Sequence, residues 1–319
     1  MKRFDYLKPS TVQEAISLLH EHGEGAMLIA GGTDVIVGIK KRNIAPKALI
    51  SLQGIKGLEY IEPQDGGVRI GGMTTHRALE RSPLIKEGFP ALADAVEKLG
   101  SVQIRNVATI GGNICNAAPS ADTAPPLLAL GAEVRIKGPQ DERTIPLEEF
   151  FVGAGETVLK GDEILVEFII PASPPHTGSA YWKHTRRQAM DLPILGVALS
   201  LSIDKAEAPN LQKLIKDSAP QEEILSSLEE SGLVCQEARI ALGVAAPTPM
   251  RAKGAEGVLK GVTLTAGTLD EAARVASQEA QPRDTLRGAA WYRREMIQVL
   301  SKRLVITCLE RIFKIGEKQ

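Results

Sequence analysis

The sequence predicts a two-domain protein of mixed helices and strands, and three observations carry that expectation. Its 319 residues exceed one average hydrophobic core and suit two units of roughly 150 residues each. Segments of helical and of strand period follow one another along the chain. Three prolines fall within Pro171-Ala172-Ser173-Pro174-Pro175, directly after a strand-like run at 164–170, and mark the main boundary.

Ser10 with Gln13 and Thr11 with Glu14 form overlapping capping boxes, and Val12, Ala15, Ile16 and Leu19 then share one helical face up to Gly23. The apolar run Ala26-Met27-Leu28-Ile29-Ala30 reads as a buried strand, followed at once by Gly31-Gly32-Thr33-Asp34 and a short helix. Leu49, Ile50 and Leu52 predict another strand. Asp65-Gly66-Gly67 has the composition of a hairpin turn between residues 58–61 and 68–70, and a second lobe begins near here. Leu92, Ala95, Val96 and Leu99 mark a helix face that Gly100 terminates. Beyond the proline-rich boundary, residues 194–203 and 238–246 alternate apolar with small or polar residues, as strands do. Residues 204–236 between them are polar, with a helix near 221–228, and are long for a hairpin connection. They read as an insertion or a partner-binding element. Helical patterns near 251–260 and 268–280 lead to a longer terminal helix at 289–312.

The composition narrows the function. Lys+Arg number 38 against 39 Asp+Glu, which favours neither nucleic acid nor an acidic membrane surface as partner. Aromatic residues are 4%, low for a protein that stacks on single-stranded bases. Met1-Lys2-Arg3-Phe4-Asp5-Tyr6 is charged and lacks a signal-peptide run, and no stretch is long and apolar enough to span a bilayer, so the cytoplasm is the expected address. Cys115, Cys235 and Cys308 are too scattered to build a disulfide framework or hold an iron–sulfur cluster, and any cluster is expected on another chain. His20, His22, His76, His176 and His184 show no metal-binding spacing.

Two positions join a strand-like approach to paired glycines. In Leu28-Ile29-Ala30-Gly31-Gly32-Thr33-Asp34, backbone N–H groups can approach a phosphate without β-carbon obstruction, although paired glycines after a strand also serve as ordinary tight turns. Val107-Ala108-Thr109-Ile110-Gly111-Gly112-Asn113-Ile114 repeats the pattern, and Asn116, Pro119, Ser120 and Asp122 follow it. N–H donors suit a pyrophosphate, and an ionised carboxylate can accept from sugar or ribityl hydroxyls, so the pair points to a dinucleotide. At Gly112 the turn is expected to need a conformation suited to glycine. Neither loop fits GxGxxG and no GxxxxGK[ST] occurs, which disfavours a Rossmann dehydrogenase and a P-loop NTPase. Cys115 reads as a small buried filler, and Lys40-Lys41-Arg42 as a solvated helix end.

Ala30-Gly31-Gly32-Thr33-Asp34 together with Thr109-Ile110-Gly111-Gly112-Asn113-Ile114 closely resembles the flavin subunits of the molybdenum hydroxylase family, which includes xanthine dehydrogenases and aerobic carbon monoxide dehydrogenases. Gln103-Ile104-Arg105-Asn106, residues 117–122, Glu163-Ile164-Leu165, Lys183 with Arg186, residues 238–243 with Pro247-Thr248-Pro249, and Arg287-Gly288-Ala289-Ala290-Trp291-Tyr292-Arg293-Arg294 match in family order. Only residues 204–236 fall outside the resemblance.

The resemblance implies an α+β fold: a two-lobed FAD domain of the vanillyl-alcohol oxidase (PCMH) type at 1–172, with lobes at about 1–57 and 58–172, then a smaller α+β domain at 176–319 that carries the 204–236 insertion. It also implies non-covalent FAD. Leu28, Ile29, Ala30, Gly31, Gly32, Thr33 and Asp34, with Gly100, Ser101, Ala108, Thr109, Gly111 and Gly112, would surround it, and the backbone at 30–33 and 109–112 would hold the pyrophosphate. Asn113, Asn116 and Asp122 would meet phosphate, ribityl or ribose groups, Ile164 and Leu165 would line the adenine or flavin pocket, and Lys183 would lie near the flavin ring. An ammonium there would favour the anionic reduced flavin. No catalytic residue and no metal ligand is implied for this chain. The role implied is electron transfer from [2Fe-2S] clusters of a small subunit, fed by a large molybdopterin subunit, to NAD or another acceptor. A branch resembling 4-hydroxybenzoyl-CoA reductase carries an extra cluster in this subunit, which three scattered cysteines disfavour. The competing readings are a self-contained flavin oxidase or reductase and a flavin-free assembly protein. The first lacks a substrate-binding constellation in residues 176–319, and the intact glycines argue against the second.

Overall fold

The computed structural model describes residues 3–205 and 207–315; Met1, Lys2, Ala206 and residues 316–319, and with them the outermost ends of the expected domains and one residue of the expected insertion, lie outside it. The strands are β1 (Asp5–Leu7), β2 (Ala26–Ile29), β3 (Ala48–Ser51), β4 (Ile61–Gln64), β5 (Gly67–Gly71), β6 (Glu133–Lys137), β7 (Glu142–Pro146), β8 (Phe151–Gly153), β9 (Glu156–Thr157), β10 (Ile164–Ile170), β11 (Thr177–His184), β12 (Leu195–Ile203), β13 (Cys235–Gly243) and β14 (Met250–Arg251). The helices are α1 (Val12–His22), α2 (Val35–Lys40), α3 (His76–Arg81), α4 (Pro83–Gly88), α5 (Pro90–Glu97), α6 (Val102–Arg105), α7 (Ile110–Cys115), α8 (Ala124–Ala129), α9 (Pro209–Lys216), α10 (Gln221–Ser231), α11 (Lys253–Leu259), α12 (Ala266–Glu279) and α13 (Ala290–Ile315). The fold is α+β. No helix among the described residues is long and apolar enough to cross a membrane.

The chain divides into two compact units. The first comprises Met1–Leu84, Leu99–Ala118 and Gly131–Ala172. It opens with a parallel sheet ordered β1-β3-β2, whose strand residues point alternately to two helices. Ile50 packs with Ala15, Ile16 and Leu19 of α1, with Leu28 against them, while Ile29 and Leu49 pack with Ile39 of α2. Capping of α1 is split between neighbours: Glu14 N–H donates to Thr11 Oγ1 at 3.1 Å, and the Glu14 carboxylate accepts from Ser10 N–H at 2.7 Å. An antiparallel sheet, β4-β5-β10-β6-β7, completes the frame. Asp65 and Gly66 link β4 to β5, both with positive φ (49° and 77°), as a two-residue hairpin of the primed type requires. The strand before that turn starts at Ile61, later than the sequence pattern placed it.

The second unit comprises Ile85–Lys98, Pro119–Leu130 and Ser173–Gln319. Its antiparallel sheet is ordered β11-β12-β13-β14. Leu195, Val197, Leu199, Leu201 and Ile203 of β12 face a core shared with α12 and α13 through Leu269, Ala276, Leu300, Leu304 and Leu309. Gly196, Ala198 and Ser202, on the alternate positions, are buried as well. Helices α5 and α8 pack on this unit's strands, and small side chains let backbone come close: a β-carbon on Gly243 would lie 2.9 Å from Pro125 Cγ. Residues 204–236 hold two helices, α9 and α10. Their apolar residues Leu211, Ile215, Ile224 and Leu228 join the same core, so these side chains are not a free partner-binding face.

Candidate functional site

In the first unit, the strand pair β2 and β3 carries the chain out of the sheet at Ala30, whose carbonyl accepts from Gln53 Nε2 at 3.3 Å. Gly32 has φ of 75°, a left-handed conformation that side chains with a β-carbon rarely adopt. A β-carbon on Gly31 would collide with the carbonyl oxygen of Val107. The N–H groups of Gly31, Gly32, Thr33 and Asp34 find no acceptor among the described residues. Four successive backbone donors with no internal acceptor are what an anion's oxygens can take up.

The second loop is built differently. Thr109 forms a single bridge to Thr75 in place of a strand, and caps α7, its Oγ1 accepting from Gly112 N–H at 3.0 Å. Ile110 N–H donates to the Thr74 carbonyl (3.0 Å), Gly111 N–H to the Gly72 carbonyl (2.9 Å) and Asn113 N–H to the Thr109 carbonyl (3.0 Å). The N–H groups of Ile110, Gly111, Gly112 and Asn113 therefore already have acceptors within the chain. Its glycines supply room. A β-carbon on Gly111 would collide with the Gly72 carbonyl, whereas one on Gly112 would meet only Thr109 Oγ1 at 3.0 Å and Ala30 Cβ at 3.8 Å. Gly112 lies within a helix and not at positive φ, so the expected demand for a glycine-only conformation is corrected: capping by Thr109 starts the helix one residue before the glycine pair.

Val107 and Ala30 thus bring the two loops side by side. Gly100, with φ of 52°, and Ser101, whose Oγ accepts from Ile104 N–H at 3.3 Å, shape the start of α6, which leads to Val107. Gly100 does not itself end the preceding helix, since α5 is capped at Lys98. Arg105, nearly buried, donates to the Leu99 carbonyl (2.9 Å) and to Glu80 Oε2 (2.8 Å), fixing that segment. The Ala108 carbonyl accepts from His76 N–H at 3.0 Å, and Asn116 caps the end of α7. Ile164 packs with Ile16 and Ile50, and Leu165 is buried beside it on β10. Cys115 is partly exposed, not fully buried as expected, although burial of the thiol pushes its pKa up to about 12.

Asp122 and Lys183 belong to the second unit, where they pair with each other. Lys183 Nζ donates to Asp122 Oδ2 at 2.8 Å and to the Lys98 carbonyl at 3.0 Å, and the Tyr181 hydroxyl donates to Asp122 Oδ1 at 3.2 Å. All three side chains are buried. Burial pushes the Asp122 carboxyl above its ordinary range, against the pull of Lys183 and Tyr181, and burial with the nearby Asp122 charge raises the Tyr181 hydroxyl well above its own.

Sequence reasoning missed Gly72, Gln53 and Tyr181. Only Gly72 had a local signal, because Ile70-Gly71-Gly72 is a third glycine pair at the end of a strand.

Residues 2–173 match the family described as "FAD binding domain in molybdopterin dehydrogenase", and residues 224–308 match "CO dehydrogenase flavoprotein C-terminal domain". The chain belongs to this family of flavin subunits. It is 34% identical over 302 residues to the putative xanthine dehydrogenase FAD-binding subunit XdhB of Escherichia coli (strain K12), covering 94% of each chain. It is 32% identical over 301 residues to the carbon monoxide dehydrogenase medium chain of Hydrogenophaga pseudoflava, covering 94% of this chain and 95% of that one. Among solved structures, a chain of the reconstituted CO dehydrogenase from Oligotropha carboxidovorans matches with a TM-score of 0.85 at 30% identity, over 97% of this chain and 99% of that chain. The family is one of oxidoreductase subunits with an FAD-binding domain, and this chain shares that domain.

Proposed function

We propose that this chain is the electron-transfer subunit of a molybdenum hydroxylase complex, taking electrons from [2Fe-2S] clusters of a small partner subunit and delivering them to an external acceptor such as NAD. Molybdopterin and substrate oxidation belong to a large partner subunit in this reading. Residues 1–172 are read as the flavin domain and 176–319 as the C-terminal domain; the match over residues 2–173 supports the first and the match over 224–308 part of the second, while residues 85–98 and 119–130 fold with the second compact unit. The three free cysteines fit a reducing compartment, and the cytoplasm is the address inferred.

The observation that carries the reading is the donor run at Gly31, Gly32, Thr33 and Asp34 beside the open backbone of Gly112. These residues fit a pyrophosphate: the first loop presents N–H groups, and the second keeps β-carbons out of its way. The protein's own work is to bind and orient the dinucleotide through Ala30 to Thr33 and Thr109 to Asn113. Bound FAD would supply the acceptance of single electrons and their onward passage as a pair.

The purified chain, reconstituted with FAD, is expected to show a flavin spectrum and to release intact FAD on denaturation. With no partner present it should not hydroxylate an aromatic or carbonyl substrate, while transferring electrons from a reduced nicotinamide to a dye. Failure to bind FAD, or hydroxylation by the chain alone in a preparation shown by mass spectrometry to lack partners, would overturn the reading.

A further inference from the structure

One short segment clamps the second glycine loop. Residues 72–76 lead from β5 into α3 and run beside residues 108–111. Gly111 N–H donates to the Gly72 carbonyl at 2.9 Å, Ile110 N–H to the Thr74 carbonyl at 3.0 Å, and His76 N–H to the Ala108 carbonyl at 3.0 Å, while Thr75 bridges to Thr109. All of these residues lie in the first unit. Thr75 also caps α3, its Oγ1 accepting from Ala78 N–H at 3.2 Å. The residues that start α3 therefore also set the position of the loop.

His76 is the first residue of α3, and its imidazole is fully buried with no hydrogen-bond partner for either ring nitrogen among the described residues. An apolar side chain would fill that space without leaving polar atoms unsatisfied. The surroundings are already short of negative charge. Arg105 of α6 donates to Glu80 through Nε at 2.8 Å and through Nη2 at 3.3 Å, and Arg77 Nη1 lies 2.8 Å from the same carboxylate. Two guanidiniums thus share one carboxylate. Arg81, the remaining charged residue of α3, is exposed, and residues 72–75 and 107–111 carry no titratable side chain. A proton on the imidazole would add a third positive charge to this cluster. Burial, with the Arg105 charge, accordingly lowers the pKa of His76 to about 4.

A buried charge without a counter-ion is relieved by moving it to water, and the residue that moves takes the Ala108 contact with it. We propose that His76 is a positioning residue of the dinucleotide site and an acid-operated release. Neutral, it keeps residues 72–76 clamped on the second loop. Protonated, it leaves its place, the clamp opens and the flavin escapes. This role rests on the functional reading above, in which FAD lies on the two glycine loops. In the open form the imidazole titrates at its ordinary 6.5 and in the closed form near 4, so protons favour opening as the pH falls through that interval. The opening equilibrium rises there by at most about tenfold per pH unit.

The test takes two readings on the full-length chain at about pH 7 and about pH 5: amide hydrogen exchange, corrected for its intrinsic pH dependence, and the rate at which bound FAD is released on dilution. In the wild type the amides of His76, Ile110 and Gly111 are expected to lose protection at least about tenfold at the lower pH, with the amides of β12 unchanged. Release of FAD should accelerate by at least about tenfold as well. In His76→Phe and His76→Leu both readings should change less than about threefold over the same interval. Equal acceleration in the wild type and the variants would overturn the proposal, as would protection lost at β12 together with the clamp, the mark of general acid unfolding. Should neither variant fold, exchange in the wild type alone decides between these outcomes. A wild-type chain that bound no FAD at neutral pH would remove the functional reading instead, while the clamp amides would still report whether acid opens the loop.

Discussion

The Nζ atom of Lys183 lies 2.8 Å from Oδ2 of Asp122, and both side chains are buried. Breaking such a pair from one side leaves a charge with nothing to neutralise it. Lys183→Met is therefore expected to destabilise the fold by about 3–5 kcal/mol, whereas the double change Asp122→Leu with Lys183→Met should recover most of that loss. Denaturant unfolding of the two single variants and the double variant measures the coupling. Additive losses would show that the pair does not act as a unit.

Gly31 and Gly112 are expected to fail in different ways. Gly31→Ala drives a β-carbon into the Val107 carbonyl, so both stability and flavin content should fall, stability by about 1–3 kcal/mol. Gly112→Ala sits in a helix with its nearest contact at 3.0 Å, and should leave thermal stability nearly unchanged or slightly higher while weakening FAD at least about tenfold. Cys115→Ser is the control and should keep its flavin. Thermal melts with and without FAD, together with fluorescence titration of the flavin, separate these outcomes, and full FAD affinity in Gly112→Ala would move the phosphate site elsewhere.

His76 is fully buried, and neither of its ring nitrogens has a hydrogen-bond partner among the described residues. Burial, with the nearby Arg105 charge, lowers its pKa from 6.5 to about 4. A histidine with a depressed folded-state pKa stabilises the fold while neutral, so its contribution is complete above pH 6.5 and is lost as the pH falls towards 4. The full effect is on the order of 3 kcal/mol. His76→Phe should flatten stability across that window in urea titrations at successive pH values, and an unchanged slope would show that other groups set the acid sensitivity.

The helices and strands were legible wherever a periodic apolar face coincided with a cap or a breaker. Thr11 and Gly23 bound α1, Asp65-Gly66 turns the β4–β5 hairpin, and the terminal helix lies within a few residues of its pattern. Where such a signal was weak the reading slipped. A second helix in residues 204–236, α9, was not anticipated, because its apolar positions make sense only against the core of α12 and α13.

The sequence by itself determined the family, the cofactor class and the two glycine loops, because a motif is a local property and backbone access for a phosphate needs glycine at particular positions. Tertiary structure alone decided which of the two loops keeps backbone donors without an acceptor. Whether an N–H group is available depends on what lies across from it, and Gly72, Thr74 and Thr109 supply acceptors for the second loop while nothing described does so for residues 31–34. It likewise decided that Asp122 and Lys183, 61 residues apart, are each other's partners. Burial makes a counter-ion necessary, and no spacing along the chain encodes which one is within reach.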